Sequence, residues 1–437
     1  MSSLRRISAG AGVNLVNLLF VTVVTVLTPP ILVHTWGLNQ YGVWVMLTAL
    51  PTYLILTDFG FATAATNDIA MHVARGARDE ARRVLQSVWA LNLLTNAAVI
   101  ALLSVILVGL ATITSDPDSP LVRYNGTILL LTLYALATMT SRTVLGVFRA
   151  CGLYAKGSFI NDTLQFLEGL AGLAAAFLGG DFAITAATLL ISRMVSLAIM
   201  AELLRHDLPD MPLGLGLANK ETLRRLLKPA MASMVIPTSL ALNMQGVALI
   251  VGALISPAAA ATLATARTVS RTAVQFISAI NRATIPEMSA AAARGETGTL
   301  ARIRRINAVL LLGVAAPAAL GFAALGPWVV QLWTGGAIRP SHTVVGFLAA
   351  AMFLHCIWYF GTNLLSATNA HGRMTFGLLG SSVLAIGLAI ALTQVWGLAG
   401  ACVAVMVGEL ACVLWFLHVQ RTIRNESASR PEGHASA

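Results

Sequence analysis

The stretch PAAAATLATARTVSRTAVQFISAINRATIPE, residues 257–287, decides the fold class. It is long and apolar enough to cross a bilayer, yet it carries polar side chains at steps of four, four, three and four: Arg267, Arg271, Gln275, Ser278 and Arg282. On a helix with 3.6 residues per turn these five side chains form one stripe. The stretch therefore predicts a membrane-spanning helix with a cationic stripe.

Arginine in the middle of a span is unfavourable by about 2.5 to 3.5 kcal/mol, so Arg267 and Arg271 both need a special environment. A water-filled cavity that receives an anion is the functional interpretation. Snorkelling to the interface, or pairing with an acid on another helix, is the structural one. Snorkelling suits Arg282 near the helix end, but it suits Arg267 poorly, because Arg267 lies about ten residues, or ~15 Å, from either end.

Composition places the whole chain in the membrane. Of its 437 residues, 57% are hydrophobic and 11% are charged, and the mean hydropathy of +0.79 excludes an ordinary soluble domain. We predict an all-α polytopic membrane protein with about twelve transmembrane helices. The predicted spans are 9–33, 41–65, 86–114, 125–148, 159–179, 182–204, 229–255, 257–282, 306–330, 342–366, 374–393 and 397–419.

The net charge of +10 suggests nucleic acid at first sight, but the distribution of the charge excludes it. With both termini in the cytoplasm, most lysines and arginines fall on the cytoplasmic side, four lie within spans, and Arg123 and Arg339 lie outside, as the positive-inside rule predicts. The arginines inside spans remain to be explained: Arg142, Arg193, Arg267 and Arg271. The four cysteines show neither CxxC spacing nor a histidine cluster, so we predict no disulfide and no metal site.

Three acids also lie at membrane depth. Glu168 needs a partner or a raised pKa, and Arg193 in the next span is the candidate partner; a structural salt bridge and a role in proton or cation coupling are both open. Asp162 lies close to Glu168 in the sequence. Glu409 is either the partner of an arginine or a titrating site. We predict no cofactor, with H⁺ or Na⁺ coupling at these acids as a candidate function.

An internal repeat divides the chain into two lobes. Asp68 with Arg75-Gly76 is matched by Glu287 with Arg294-Gly295 after an even number of spans, so the two halves have the same orientation. We predict a six-helix lobe at 1–205, a cytoplasmic linker at 206–228, a second six-helix lobe at 229–420 and a disordered cytoplasmic tail at 421–437.

Short motifs in the first lobe resemble a known family. They are Gly37-x-x-x-Tyr41-Gly42-x-Trp44, Asp58-Phe59-Gly60 and Arg75-Gly76. With twelve spans, the chain resembles the polysaccharide transport proteins of the multidrug, oligosaccharidyl-lipid and polysaccharide exporter superfamily, and within it the Wzx-type flippases of O-antigen and exopolysaccharide synthesis. The resemblance implies a MATE-like, V-shaped transporter in the bacterial inner membrane. It also implies that Arg142, Arg193, Arg267 and Arg271 form a cationic cavity, to which we add Arg282.

The function implied by the resemblance is translocation of an undecaprenyl-pyrophosphate-linked oligosaccharide from the cytoplasmic to the periplasmic leaflet. The expected partners are this glycan, the bilayer and a polysaccharide polymerase or export complex. Guanidinium groups suit the predicted substrate, because they bind phosphate oxygens bidentately. A drug or cation antiporter and a lipid II flippase of the same superfamily remain alternatives. The predicted outside loops are too short for an enzyme domain, so we predict no catalytic activity.

Overall fold

The computed structural model describes residues 3–58, 60–113, 123–272, 274–275, 294, 296–367 and 372–428, and within them every regular element is a helix. In chain order the α-helices are α1 (Ser3–Ile55), α2 (Phe61–Ala74), α3 (Arg78–Ile113), α4 (Asn125–Ala150), α5 (Tyr154–Phe177), α6 (Phe182–Asp207), α7 (Lys220–Ala241), α8 (Val247–Leu254), α9 (257–272), α10 (Thr297–Leu310), α11 (Ala316–Trp333), α12 (His342–Ala367) and α13 (Gly372–Ala428). A 3₁₀ turn, Leu56–Asp58, follows α1. The π-helical segment Leu242–Gly246 joins α7 to α8, and a second one, Leu311–Ala315, joins α10 to α11.

Within the described residues, eight helices are long and apolar enough to cross a membrane. Two of them, α1 and α13, bend at Gly37 and Gly397, where positive φ angles of 80° and 57° break the helical conformation. Helix α13 contains the predicted spans 374–393 and 397–419, whereas α1 contains the predicted span 9–33 and ends at Ile55, within the predicted span 41–65. The predicted fold class, an all-α polytopic membrane protein, is confirmed. Helices α5 and α9 lie at predicted spans five and eight, and α5 contains the polar residues Lys156, Asp162 and Glu168.

The chain forms two compact units, Met1–Pro237 and Thr238–Ala437, which we call the first and the second unit. The division falls at Pro237 inside α7, whereas the sequence suggested a linker at 206–228. The partition into lobes at 1–205 and 229–420 stays a prediction. The predicted disordered tail needs a correction, because α13 continues to Ala428 and residues 421–428 are helical. Residues 429–437, and Glu287 and Gly295 of the repeat, lie outside the described residues.

Polar contacts explain why the linker belongs to the first unit. The side-chain oxygen of Gln86 accepts a hydrogen bond from the Leu217 amide at 2.7 Å, and the Ser87 hydroxyl accepts one from the Asn219 amide at 2.9 Å. At the start of α7, Arg225 forms an ion pair with Asp68 at 2.7 Å. The linker and the first turns of α7 are therefore attached to α2 and α3.

Gly60 lets α7 approach the start of α2 closely. It has a φ of 74°, and a Cβ atom built on it would lie 2.3 Å from the carbonyl oxygen of Ala230 in α7. Both the backbone conformation and the lack of space exclude other residues. This packing gives a physical reason for glycine at the end of the Asp58-Phe59-Gly60 motif.

We expect Gly60→Ala to lower the free energy of unfolding of the protein by about 2 kcal/mol, because the methyl group meets backbone atoms and the positive φ becomes strained. Thermal unfolding of the purified protein in detergent measures the effect. Gly12→Ala is the matched control, since a Cβ atom there would meet no atom within 4 Å. Equal unfolding temperatures for the two variants would contradict the packing argument.

Candidate functional site

A cavity of about 390 Å³ lies inside the second unit. Its wall is formed by the end of α7, the π-helical segment after it, α9, α12 and α13. The polar and aromatic side chains in the wall are Ser239, Asn243, Arg267, Ser270, Arg271, Gln275, His355, Trp358, Tyr359, Ser381, Ser382 and Glu409. The volume falls at the lower end of the range of about 300–1,000 Å³ that is usual for small-ligand sites.

Arg267 is buried against the π-helical segment. The residue is 6% exposed, and its side chain donates hydrogen bonds to the carbonyl oxygens of Asn243 (3.1 Å) and Met244 (3.2 Å) and to the Asn243 side-chain oxygen (2.8 Å). A π turn interrupts the regular α-helical hydrogen bonding, and such turns are frequent at functional sites. Arg267 therefore finds neutral oxygens as partners, and its positive charge is not cancelled by a direct ion pair with an acid among the described residues.

Arg271 lies one turn further along α9 and has a different environment. Its side chain is exposed and lines the cavity. Among the residues that the structure describes, no hydrogen bond or ion pair involves Arg271. Gln275 lines the same cavity, so these three members of the predicted stripe share one wall. Ser278 and Arg282 lie outside the described residues.

Glu409 contributes a carboxylate to the same cavity. One of its oxygens accepts a hydrogen bond from the Trp358 indole nitrogen at 2.6 Å, and the His355 Nδ1 atom lies 3.3 Å from both oxygens. The predicted alternatives for Glu409 were an arginine partner or a titrating site. Its direct partners among the described residues are a histidine and a tryptophan, Arg267 interacts with it electrostatically, and the titrating site stays a prediction. The sequence analysis missed His355, Trp358 and Tyr359, although spacing of three and four residues within an apolar span indicated one face of α12.

The first unit holds Arg193 and Glu168 as a buried ion pair. Their side chains are each 4% exposed, and the Arg193 guanidinium lies 2.8 Å from a Glu168 oxygen. The Tyr134 hydroxyl donates to the same oxygen at 2.7 Å, and the guanidinium also lies 5.5 Å from the centre of the Tyr134 ring. The structure thus contains the salt bridge that was one of the two interpretations of Glu168. A role of Arg193 in substrate binding stays a prediction.

Arg142 and Asp162 also lie in the first unit, at different places. The Arg142 side chain is exposed, and it interacts electrostatically with Asp58, whose carboxylate accepts hydrogen bonds from the Ala62 amide. Asp162 accepts hydrogen bonds from Asn161 and Asn17. Of the arginines predicted to bind the substrate, Arg267 and Arg271 line the same cavity within the described residues. A joint site that also includes Arg142 and Arg193 stays a prediction.

Within the described residues, no three His, Cys, Asp or Glu side chains come together in a way that could hold a metal ion. Coupling at Asp162, Glu168 or Glu409 stays a prediction. The three acids differ in environment, since Glu409 lines a cavity, Glu168 is paired with an arginine and Asp162 is bound by asparagine amides.

The fold is similar to that of solved transporters of the MOP superfamily. It is similar to an inward-facing multidrug resistance MATE family transporter of that superfamily, with a TM-score of 0.78 and 14% identity over 96% of this chain and 99% of the other. It is also similar to a mutant of the Vibrio cholerae MATE transporter VcmN, with a TM-score of 0.64 and 15% identity over 96% and 97% of the two chains. A MATE family transporter in the outward-facing conformation matches with a TM-score of 0.59, at 14% identity over 97% and 94%.

The chain belongs to the polysaccharide biosynthesis protein family, whose sequence pattern matches residues 7–292. This match confirms the family suggested by the short motifs of the first lobe. No curated protein sequence matches the chain. At identities near 15%, the solved structures show the fold alone.

The buried pair in the first unit gives a test of its structural role. We expect Arg193→Ala to lower the free energy of unfolding by about 3 to 5 kcal/mol, because it leaves the Glu168 charge buried without an opposite charge beside it. Replacing both residues, as Glu168→Leu with Arg193→Met, should recover most of this loss. Thermal unfolding in detergent provides the measurement.

Arg205→Ala is the control, because Arg205 lies on the same helix in an ion pair whose side chains are 75% and 73% exposed; exposed pairs contribute about 0–1 kcal/mol. If Arg193→Ala lowered the free energy of unfolding no more than Arg205→Ala does, the buried pair would not stabilise the fold. Transport by the double variant then separates the roles, since a substrate-binding Arg193 requires transport to be lost even when the protein is folded.

Proposed function

We propose that this transporter is a flippase for an undecaprenyl-pyrophosphate-linked oligosaccharide. It moves the glycan from the cytoplasmic to the periplasmic leaflet of the bacterial inner membrane by alternating access, and the glycan then enters O-antigen or exopolysaccharide synthesis. Both termini lie in the cytoplasm, and a polysaccharide polymerase or export complex is its partner. The protein catalyses no bond-making or bond-breaking step.

The observation that carries the proposal is the position of Arg271. Its exposed guanidinium lines the cavity of the second unit, one helical turn from the buried Arg267. A guanidinium group presents several donors in a plane, and this geometry matches two phosphate oxygens at once. Arg267 uses its donors on the π-helical segment. We therefore assign direct contact with the pyrophosphate to Arg271, and positioning and positive potential to Arg267.

The membrane potential favours the proposed direction of transport. An inside-negative potential drives an anion outward by about 2.3 kcal/mol per charge per 100 mV. The return of the empty cationic cavity then needs compensation, for which H⁺ or Na⁺ binding at Asp162, Glu168 or Glu409 is the proposed source. Of these three acids, Glu409 lines the same cavity as the arginines.

A second candidate function is export of organic cations. The solved structures with a similar fold include multidrug resistance transporters, and the Glu409 carboxylate lies beside the aromatic rings of Trp358 and His355, an arrangement that attracts cations. Two arginines in the same cavity oppose this function. A lipid II flippase is a further alternative, because its substrate also carries a pyrophosphate.

Depletion of the protein tests the proposed function directly. We expect lipid-linked oligosaccharides to accumulate in the cytoplasmic leaflet, where a membrane-impermeant reagent added to whole cells cannot reach them. Mass spectrometry identifies the accumulated glycan, and a lipid II peptide stem would favour the lipid II alternative. Altered drug tolerance without any accumulated glycan would overturn the flippase proposal.

A variant of Arg271 tests the cavity. Since one hydrogen bond to a charged group contributes about 1.5 to 3 kcal/mol, Arg271→Ala should lower the flipping rate by about 10- to 100-fold at unchanged protein level. Arg271→Lys should restore part of the rate, because it keeps the charge without the planar donors. The rate is measured in cells that express each variant, as the appearance of lipid-linked glycan that the membrane-impermeant reagent labels from outside.

Arg339→Ala is the matched control, since Arg339 is an exposed arginine of the same unit outside the cavity wall. Arg267→Ala should also lower the flipping rate, with an additional loss of thermal stability because the carbonyl oxygens of the π-helical segment lose their donor. Normal flipping by Arg271→Ala and Arg267→Ala would exclude this cavity as the substrate site.

A further inference from the structure

The cavity of the second unit contains an acid that an anion site does not need. Glu409 lines it together with Arg267 and Arg271, and among the described residues neither arginine forms an ion pair with Glu409. Two like charges repel each other, and the repulsion is stronger in the low dielectric of a cavity than in water. A carboxylate therefore weakens the binding of a pyrophosphate. Its presence in the wall suggests that the substrate carries a second chemical group, which binds to Glu409.

The orientation of the carboxylate leaves it able to accept further hydrogen bonds. An ionised carboxylate offers about four acceptor positions. Trp358 donates to one oxygen, and His355 lies at 3.3 Å from both oxygens. These contacts fix the carboxylate in the wall of the cavity and leave acceptor positions for a ligand that carries hydroxyl groups.

Beside the carboxylate, two aromatic rings stack on each other. His355 and Tyr359 lie one turn apart on α12, with ring centres 5.8 Å apart and planes only 15° from parallel. Trp358 meets His355 edge-on, with ring centres 4.7 Å apart. Both residues line the cavity, and an aromatic ring face next to a fixed hydrogen-bond acceptor suits a sugar, whose C–H groups pack on the ring while its hydroxyl groups bind the acceptor.

We propose that His355, Tyr359 and Glu409 form a subsite for the first sugar of the glycan, adjacent to the phosphate that Arg271 receives. This inference rests on the proposed flippase function and names the part of the substrate that the cavity recognises. The volume of about 390 Å³ accommodates the sugar and its phosphate but not a whole oligosaccharide. Specificity in this cavity therefore concerns the sugar next to the pyrophosphate.

Binding of short-chain ligands tests the subsite. The full-length protein in lipid nanodiscs is titrated calorimetrically with farnesyl pyrophosphate and with farnesyl-pyrophosphoryl hexoses that carry glucose, galactose or N-acetylglucosamine. We expect the wild type to bind at least one of the sugar-bearing ligands about tenfold more tightly than the bare pyrophosphate. This ratio of the two dissociation constants is the sugar increment.

The variants Tyr359→Ala and Glu409→Gln should each reduce the sugar increment to about twofold. Glu409→Gln should in addition bind the bare pyrophosphate about threefold more tightly, because it removes a repelling charge. A structural defect would weaken both kinds of ligand together, so the opposite signs identify the subsite. Phe376→Ala is the matched control, since this aromatic side chain of the same unit is 75% exposed and lies outside the cavity wall.

The outcomes separate the two proposals. If the wild type binds none of the pyrophosphate ligands, the flippase proposal fails and the subsite fails with it. If it binds the bare pyrophosphate but shows no sugar increment with any of the three hexoses, or if the increment survives in both variants, the subsite is overturned and the flippase proposal stands. Binding of tetraphenylphosphonium that requires Tyr359 and Glu409, without a sugar increment, would overturn the subsite in favour of cation export.

Discussion

The hydrogen bonds of Arg267 are the interaction on which the cavity of the second unit depends. The hydrocarbon core offers no water to a guanidinium group or to backbone carbonyl groups released from a helix, so both must find partners within the protein. Arg267 and the π-helical segment Leu242–Gly246 satisfy each other, because the carbonyl oxygens of Asn243 and Met244 face the buried guanidinium. These partners are neutral, so the positive charge of Arg267 remains effective in the cavity.

The first unit buries an arginine in the opposite way. Arg193 pairs with Glu168, and the ion pair has no net charge and little effect at a distance. One oxygen of Glu168 and the Nε atom of Arg193 have no hydrogen-bond partner among the described residues, which fits a pair that fixes helix positions at some expense of stability. The depth of an arginine in a span therefore says little about function, whereas the chemistry of its partner decides whether it attracts an anion.

This distinction explains what could be predicted from the sequence. The shared face of Arg267, Arg271 and Gln275 follows from helical periodicity, which is a local property, and the pairing of Glu168 with Arg193 was one of two open interpretations. The carbonyl partners of Arg267 depend on a π turn that neither composition nor spacing indicates. The surroundings of Glu409 depend on the packing of α12 against α13, which brings together His355 and Glu409 from distant parts of the chain.

The combination of charges in the cavity also bears on turnover. A transporter must release what it binds, and a site built from guanidinium groups alone would hold a pyrophosphate through several charge-assisted hydrogen bonds of about 1.5 to 3 kcal/mol each. Glu409, which interacts electrostatically with Arg267, lowers the positive potential and hence the affinity for the anion. An aromatic and carboxylate wall then adds affinity only for a ligand with a fitting sugar. In this arrangement the arginines recognise the phosphate that all such lipid-linked glycans share, while the sugar contacts set selectivity without slowing the release of the charged group.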